Sequence, residues 1–242
     1  MGVASRRLQT HLPMTFEDRF PPSEREALRL AVADLERRTT AEIVPFVVAR
    51  SDPYANADWK GAALGALGGG LAAAALHRAL GLWGLDPVLW IALPPAVGAA
   101  LGWLAARLPV LSRALVGDER IDEQVRRRAE EAFLAENLAA TASREGLLLF
   151  VSLFERRVLV LPDIGLRERI PVAAWDAVAA GIAARLKSQG PATALAAGVE
   201  LVGEVLRTAG LTVDSTADSI SNLAPVSAGP NELDDELRVV ER

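Results

Sequence analysis

The side chains able to do chemistry in this 242-residue chain are carboxylates. Cysteine is absent, which removes thiol nucleophiles, thiolate metal sites and disulfides together. The two histidines are His11, in a leader with no apolar patterning, and His77, inside an apolar stretch. Neither is placed to serve a folded-domain site. Asp163 follows a run of β-type residues, where the loops of α/β folds carry sites. Asp52 follows another such run, and Glu42 begins it. Gathered on one sheet rim, these three would offer oxygen ligands to a hard cation, Ca²⁺ or Mg²⁺. The competing reading is structural. Asp52 before Pro53 and Asp163 before Ile164-Gly165 are ordinary turn or cap residues, and Glu42, Arg144, Arg157 and Arg169 suit exposed or ion-paired positions.

The elements that must position these groups are legible from periodicity. Ser23-Glu24-Arg25-Glu26 has the form of a capping box, followed by Leu28, Ala31, Val32 and Leu35 at helical spacing. Residues 42–50 read as a buried strand, with Pro45 pointing to an edge position or a bulge. Farther on, Ile121, Val125, Ala129, Ala132 and Phe133 mark one face of a charged helix. The runs 146–155 and 157–163 then lie so close that a tight β-hairpin near Glu155-Arg156 is the natural link. Pro171 opens a helix striped by Trp175, Val178, Ile182 and Leu186, Gly190-Pro191 breaks it, and a last helix runs to about Thr208. A lone strand forms no sheet, so residues 42–50 are expected to join the 146–163 pair.

Between these pieces lie two uncharged runs, 61–76 (continued through 79–85 past His77 and Arg78) and 87–106. A bilayer core of ~30 Å needs roughly 20 helical residues, and both runs reach that length if Arg78 snorkels. Trp59 and Trp103 stand at the outer ends, and Trp83 and Trp90 flank the link, as in an interfacial aromatic belt. Gly61, Gly65 and Gly69 are spaced by four, as are Gly98 and Gly102; this spacing lets two helix backbones approach closely in lipid. A hairpin buried in a soluble core would want Leu, Ile and Phe at its packing positions. Lys60, Arg107, Arg113 and Arg120 lie outside the pair, while the link has Arg78 balanced by Asp86. By the positive-inside tendency, the domain and both termini face the cytoplasm.

The expected organisation is an α/β domain (16–59 and 107–210) interrupted by a transmembrane hairpin (60–106, helices at about 61–83 and 87–106). Residues 1–15 form a leader without an apolar core, unlike a signal peptide. Residues 211–242 form an aperiodic acidic tail, read as disordered. A net charge of −5 without a basic run excludes a nucleic-acid footprint.

Thr39-Thr40-Ala41-Glu42-Ile43-Val44, Ser51-Asp52-Pro53-Tyr54, the residues 144–153, the residues 158–166 and Trp175 together resemble the TPM domain, also called the TPM phosphatase family. The likeness spans about residues 20–208 and is to the membrane-inserted branch. Glu145 stands where members often have Thr, and Pro162 where a small residue is commoner. The resemblance implies a compact α/β sandwich with a short central sheet; the chain as a whole is expected to sit in a bacterial inner membrane. Its functional implication is divided between phosphatase activity and factors for assembly or maintenance of membrane complexes. Two readings follow: a membrane-tethered binding or maintenance factor, which is favoured because no complete catalytic set can be assembled, and a metal-dependent phosphatase using Asp52 and Asp163. The expected partners are the bilayer and other membrane proteins, with pairing of copies through the small-residue stripe left open.

Overall fold

The computed structural model describes residues 20–81, 87–141, 143–212 and 236–240. The leader, Trp83, the link around Gly84-Leu85-Asp86 and most of the acidic tail lie outside them. The chain divides into two compact units, one running up to Ala49 and from Ala129 onward, the other Arg50–Arg128.

The first unit is mixed α/β. Its four-stranded sheet has the order β3-β2-β1-β4. β1 (Glu42–Val48) and β2 (Gly146–Ser152) are parallel, with Glu42 opposite Gly146 and Val48 opposite Ser152. β3 (Arg157–Pro162) returns antiparallel to β2 through a turn with Arg156 at φ 58°. Every residue of β1 and β2 is buried, the mark of strands covered on both faces, and this explains their unbroken apolar runs. On one face Ile43, Val47, Leu147 and Leu149 join a core with Trp175, Val178 and Ile182 of α7 (Val172–Arg185). Leu195, Val202 and Leu206 of α8 (Pro191–Thr208) and Leu28, Val32 and Leu35 of α1 (Pro22–Glu36) complete it. On the other face Phe46 stacks on Phe150 with ring centroids 5.8 Å apart.

Two local expectations are corrected. Ser23 does not cap α1: the helix starts at Pro22, the Pro21 carbonyl accepts from the Glu24 and Arg25 amides, and Glu26 turns to Arg29. Proline at the first helical position needs no N–H there, so the start shifts two residues early, with Pro21 in place of Ser23 at the cap position. The tail beyond residue 211 is not wholly irregular. Thr212 bridges Thr39, and β4 (Arg238–Val240) adds to β1 in parallel. Periodicity is silent over so short a strand.

Pro45 lies in a strand with a neighbour on each side, yet β4 pairs only from Phe46 onward. The Glu42 amide donates to the Glu145 carbonyl (3.3 Å) and Leu153 to the Val48 carbonyl (3.1 Å), so even-numbered residues of β1 turn their polar groups to β2. By alternation, Ile43, Pro45, Val47 and Ala49 face the other side. There the Ile43 amide donates to Glu36 Oε1 (2.7 Å) and Ala49 to the Val240 carbonyl (3.0 Å). Pro45 has no donor to satisfy, so it occupies the stretch of edge that β4 leaves bare.

The second unit is helical. α2 (Ala55–Leu80) and α3 (Pro87–Ala106) pack along their length, and α4 (Pro109–Val116) packs on both. α5 (Asp118–Ala135) begins here and carries the chain back to the first unit. Both α2 and α3 are long and apolar enough to cross a membrane. Their seam is made of glycine. A methyl placed on Gly61 would lie 2.5 Å from the Gly102 carbonyl oxygen, on Gly65 2.1 Å from that of Gly98, and on Gly69 2.4 Å from that of Pro94. Only hydrogen fits there. Leucines point the opposite way: Leu64, Leu67, Leu71, Leu101 and Leu104 are all exposed, and Ile91 is 72% exposed.

Candidate functional site

Because β3 runs against β2, its last residues reach the rim where β1 and β2 begin, Pro162 lying opposite Leu147. That rim gathers Glu42, Glu145 and Asp163, all buried. Asp163 is anchored by its own amide, which donates to the Gly146 carbonyl (2.7 Å), and it precedes α6 (Ile164–Arg169), a helix not expected from the sequence. The short loop before β2 is held in an unusual shape, with Arg144 at φ 56°. Gly165 crosses over it, its amide donating to the Arg144 carbonyl (2.9 Å). A Cβ at Gly165 would sit 2.6 Å from that oxygen, and one at Gly146 would sit 2.5 Å from the Leu138 carbonyl oxygen. Both glycines are set by close backbone approach.

Each rim carboxylate whose contacts are resolved is already matched. Arg144 Nε donates to Asp163 Oδ2 (2.8 Å) and Arg169 Nη1 to Glu145 Oε1 (3.0 Å). Thr40 Oγ1 donates to Glu145 Oε2, and Ser143 Oγ donates to the Thr40 carbonyl (3.2 Å). The Asp163 hydrogen bond, reinforced by its charge, holds the Arg144 guanidinium more firmly protonated than an isolated arginine. In each pair the acid is buried and the arginine about half exposed. The rim therefore pins the start of β1, the loop before β2 and the start of α6 by charge-assisted bonds. Its threonine hydroxyl donates to a carboxylate that also accepts from Arg169.

The expected union of Asp52 with Asp163 is not what the sheet makes. β1 leaves at the rim opposite Asp163, and Asp52, beyond Val48, belongs to the second unit. There its Oδ1 accepts from the Tyr54 amide (2.7 Å) and its Oδ2 faces Arg127 Nη2 (3.6 Å). This is a turn at the entry to α2, with Tyr54 at φ 51° and buried. Among the described residues, no three His, Cys, Asp or Glu side chains are grouped to hold a metal ion. Of the rim acids, Asp163 Oδ2 and Glu145 Oε1 each accept from an arginine.

The membrane-facing candidates fall in the second unit. Trp59 is exposed, Lys60 Nζ donates to the Leu115 carbonyl (2.8 Å), and the Arg107 guanidinium lies 3.6 Å above the Trp103 ring. Trp90 faces His77 with ring centroids 5.9 Å apart. Sequence reasoning missed Glu36 and Glu145. A signal for Glu36 existed: an acid in the last turn of α1, with no basic residue there, opposes the helix dipole and needs a donor.

No protein-family model matches the chain. No curated protein matches it either. Among solved structures, the chain is similar to the NMR structure of the BA42 protein from the psychrophilic bacterium Bizionia argentinensis. The two are 15% identical with a TM-score of 0.48, over 96% of this chain and 98% of that one.

Proposed function

We propose that the protein is a membrane-anchored binding factor of the TPM kind: α2 and α3 cross a bacterial inner membrane, and the α/β unit engages another membrane protein at its cytoplasmic face. The observation that carries this reading is the polarity of the α2–α3 pair, which is inverted relative to a soluble hairpin. Its seam is glycine, and its outer surface carries leucines along α2 and leucine, isoleucine and valine along α3. Soluble monomers rarely leave a contiguous apolar patch larger than roughly 300–600 Å², whereas in lipid the packing force is close backbone contact and the outer face must be apolar. The prolines inside α3, Pro94 and Pro95, fit the same setting.

Binding is favoured over catalysis by the rim. Thr40 donates to Glu145, and Asp163 and Glu145 each hold an arginine, while Arg144 and Arg169 keep half-exposed guanidiniums that can meet a partner's acidic group. The order of elements, with an apolar hairpin between β1 and β2, supports membership of the membrane-inserted TPM branch.

The test is extraction together with turnover. Membranes holding the full chain are washed with alkaline carbonate, and the detergent-purified chain is assayed for phosphate release from an aryl phosphate with Ca²⁺ or Mg²⁺. The expected result is retention in the membrane pellet and no turnover. Release into the wash would sink the anchor. Turnover abolished by Asp163→Asn would replace binding with catalysis.

A further inference from the structure

We propose that α4 is an in-plane membrane foot: a short helix seated at the boundary between phospholipid headgroups and acyl chains, on the same face as the chain's folded unit. This rests on the anchor reading above. Three observations carry it. The first is polarity. α4 turns Ser112 inward, 5% exposed, against its neighbours, and turns Val110, 71% exposed, and Leu111 outward. With Ala114, these form one side of the helix at 100° per residue, the inversion already seen in α2 and α3.

The second is depth. α4 follows α3 after only Arg107 and Leu108. The Lys60 ammonium, beside Trp59 on α2, hydrogen-bonds the Leu115 carbonyl in its last turn (2.8 Å). Arg107 stacks on Trp103 at 3.6 Å. Tryptophans with cations at the end of an apolar span mark the headgroup level, and α4 is tied to that level at both ends. The third is what comes next. Gly117, at φ 87°, turns the chain directly into α5, which opens with Asp118, Glu119, Arg120, Asp122 and Glu123. α4 is thus the last apolar surface before a helix that must lie in water. A lipid interface meets all three demands at once, an apolar lower boundary with phosphates in reach of Lys60, Arg107 and Arg113.

The absence of native cysteine makes the test direct. Single-cysteine variants of the full chain at Leu71, Ile91, Val110, Leu111 and Glu123 are spin-labelled and reconstituted in vesicles of phosphatidylcholine and phosphatidylglycerol. Collision with oxygen, which partitions into lipid, is compared with collision with a water-soluble nickel chelate. The expected oxygen-to-nickel ratio is highest at Leu71 and Ile91, intermediate at Val110 and Leu111, and several-fold lower at Glu123. Deep readings at Leu71 and Ile91 with Val110 and Leu111 as wet as Glu123 would overturn the foot and leave the anchor standing. Shielding of Val110 and Leu111 from both reagents would overturn it too, and assign the face to a protein contact. Water-like readings at Leu71 and Ile91 would fail the anchor itself.

Discussion

Arg144 stands in the left-handed region at φ 56°, where a side chain costs about 1–2 kcal/mol relative to glycine. What it receives in return is the bond to Asp163, which solvent weakens because its guanidinium is about half exposed. The two effects oppose each other. Arg144→Gly is therefore expected to leave stability within about 1 kcal/mol of the parent, since the added unfolded-state freedom offsets part of the relief. Arg144→Val keeps the strain, worsens it by β-branching and loses the pair, so it should cost about 2 kcal/mol. Urea unfolding of the three chains in detergent decides the matter, and equal losses for both variants would show that the pair, not the backbone, dominates. The rim residues Glu42 and Asp163 could be singled out from the sequence because acids at strand ends are conspicuous. Their partners could not, because nothing in Arg144-Glu145 or Arg169 shows which carboxylate each guanidinium will find.

At the scale of elements, the α2–α3 seam and the β1 edge give opposite lessons. The glycine spacing of the seam was readable, and so was its consequence of close approach. Gly65→Leu should force the helices apart, since even its Cβ would overlap the Gly98 carbonyl at 2.1 Å. A loss at or above the ~1–3 kcal/mol of ordinary overpacking is expected. Gly68 has nothing within 4 Å of an added Cβ, so Gly68→Leu should be tolerated. Unfolding in mixed micelles checks the pair, and equal loss at both positions would disprove a one-sided seam. The β1 edge was not readable. β4 is three residues long and sits in a stretch whose composition announces only solvation. Truncation before Glu236 removes the acceptor of the Ala49 amide and the Arg238–Glu136 pair (3.0 Å). Hydrogen exchange should then accelerate at Val47 and Ala49. Ile43, served by Glu36, should stay protected along with Val44 and Phe46. Uniform acceleration along β1 would mean that β4 holds the whole sheet and not only its edge.

For the whole molecule, the arrangement of positive charge sets a testable polarity. Lys60, Arg107, Arg113 and Arg120 border the helices on the side of the chain that continues into the folded unit, whereas the link has Arg78 against Asp86. If the pair is the proposed membrane anchor, the positive-inside tendency predicts that the link lies outside. In intact cells a membrane-impermeant maleimide should label Leu80→Cys and spare Ser23→Cys, with both labelled after lysis. The reverse pattern would invert the topology and put the α/β unit on the far side.

Composition and periodicity determined on their own that an apolar helical hairpin with glycine at its seam interrupts an α/β pattern, because burial period and small-residue spacing are local properties of the chain. They also determined the tight turn between β2 and β3, since two apolar runs separated by so few residues have one economical connection. Strand order and direction were decided only in three dimensions. β1 could have run either way beside β2, and the parallel choice brings Glu42 to the rim of Glu145 and Asp163 while β1 departs toward Asp52 at the other. The reason is physical. A strand's apolar face is satisfied in either direction, and only the packing of helices on the sheet and the pairing of buried charges at one rim distinguish the two.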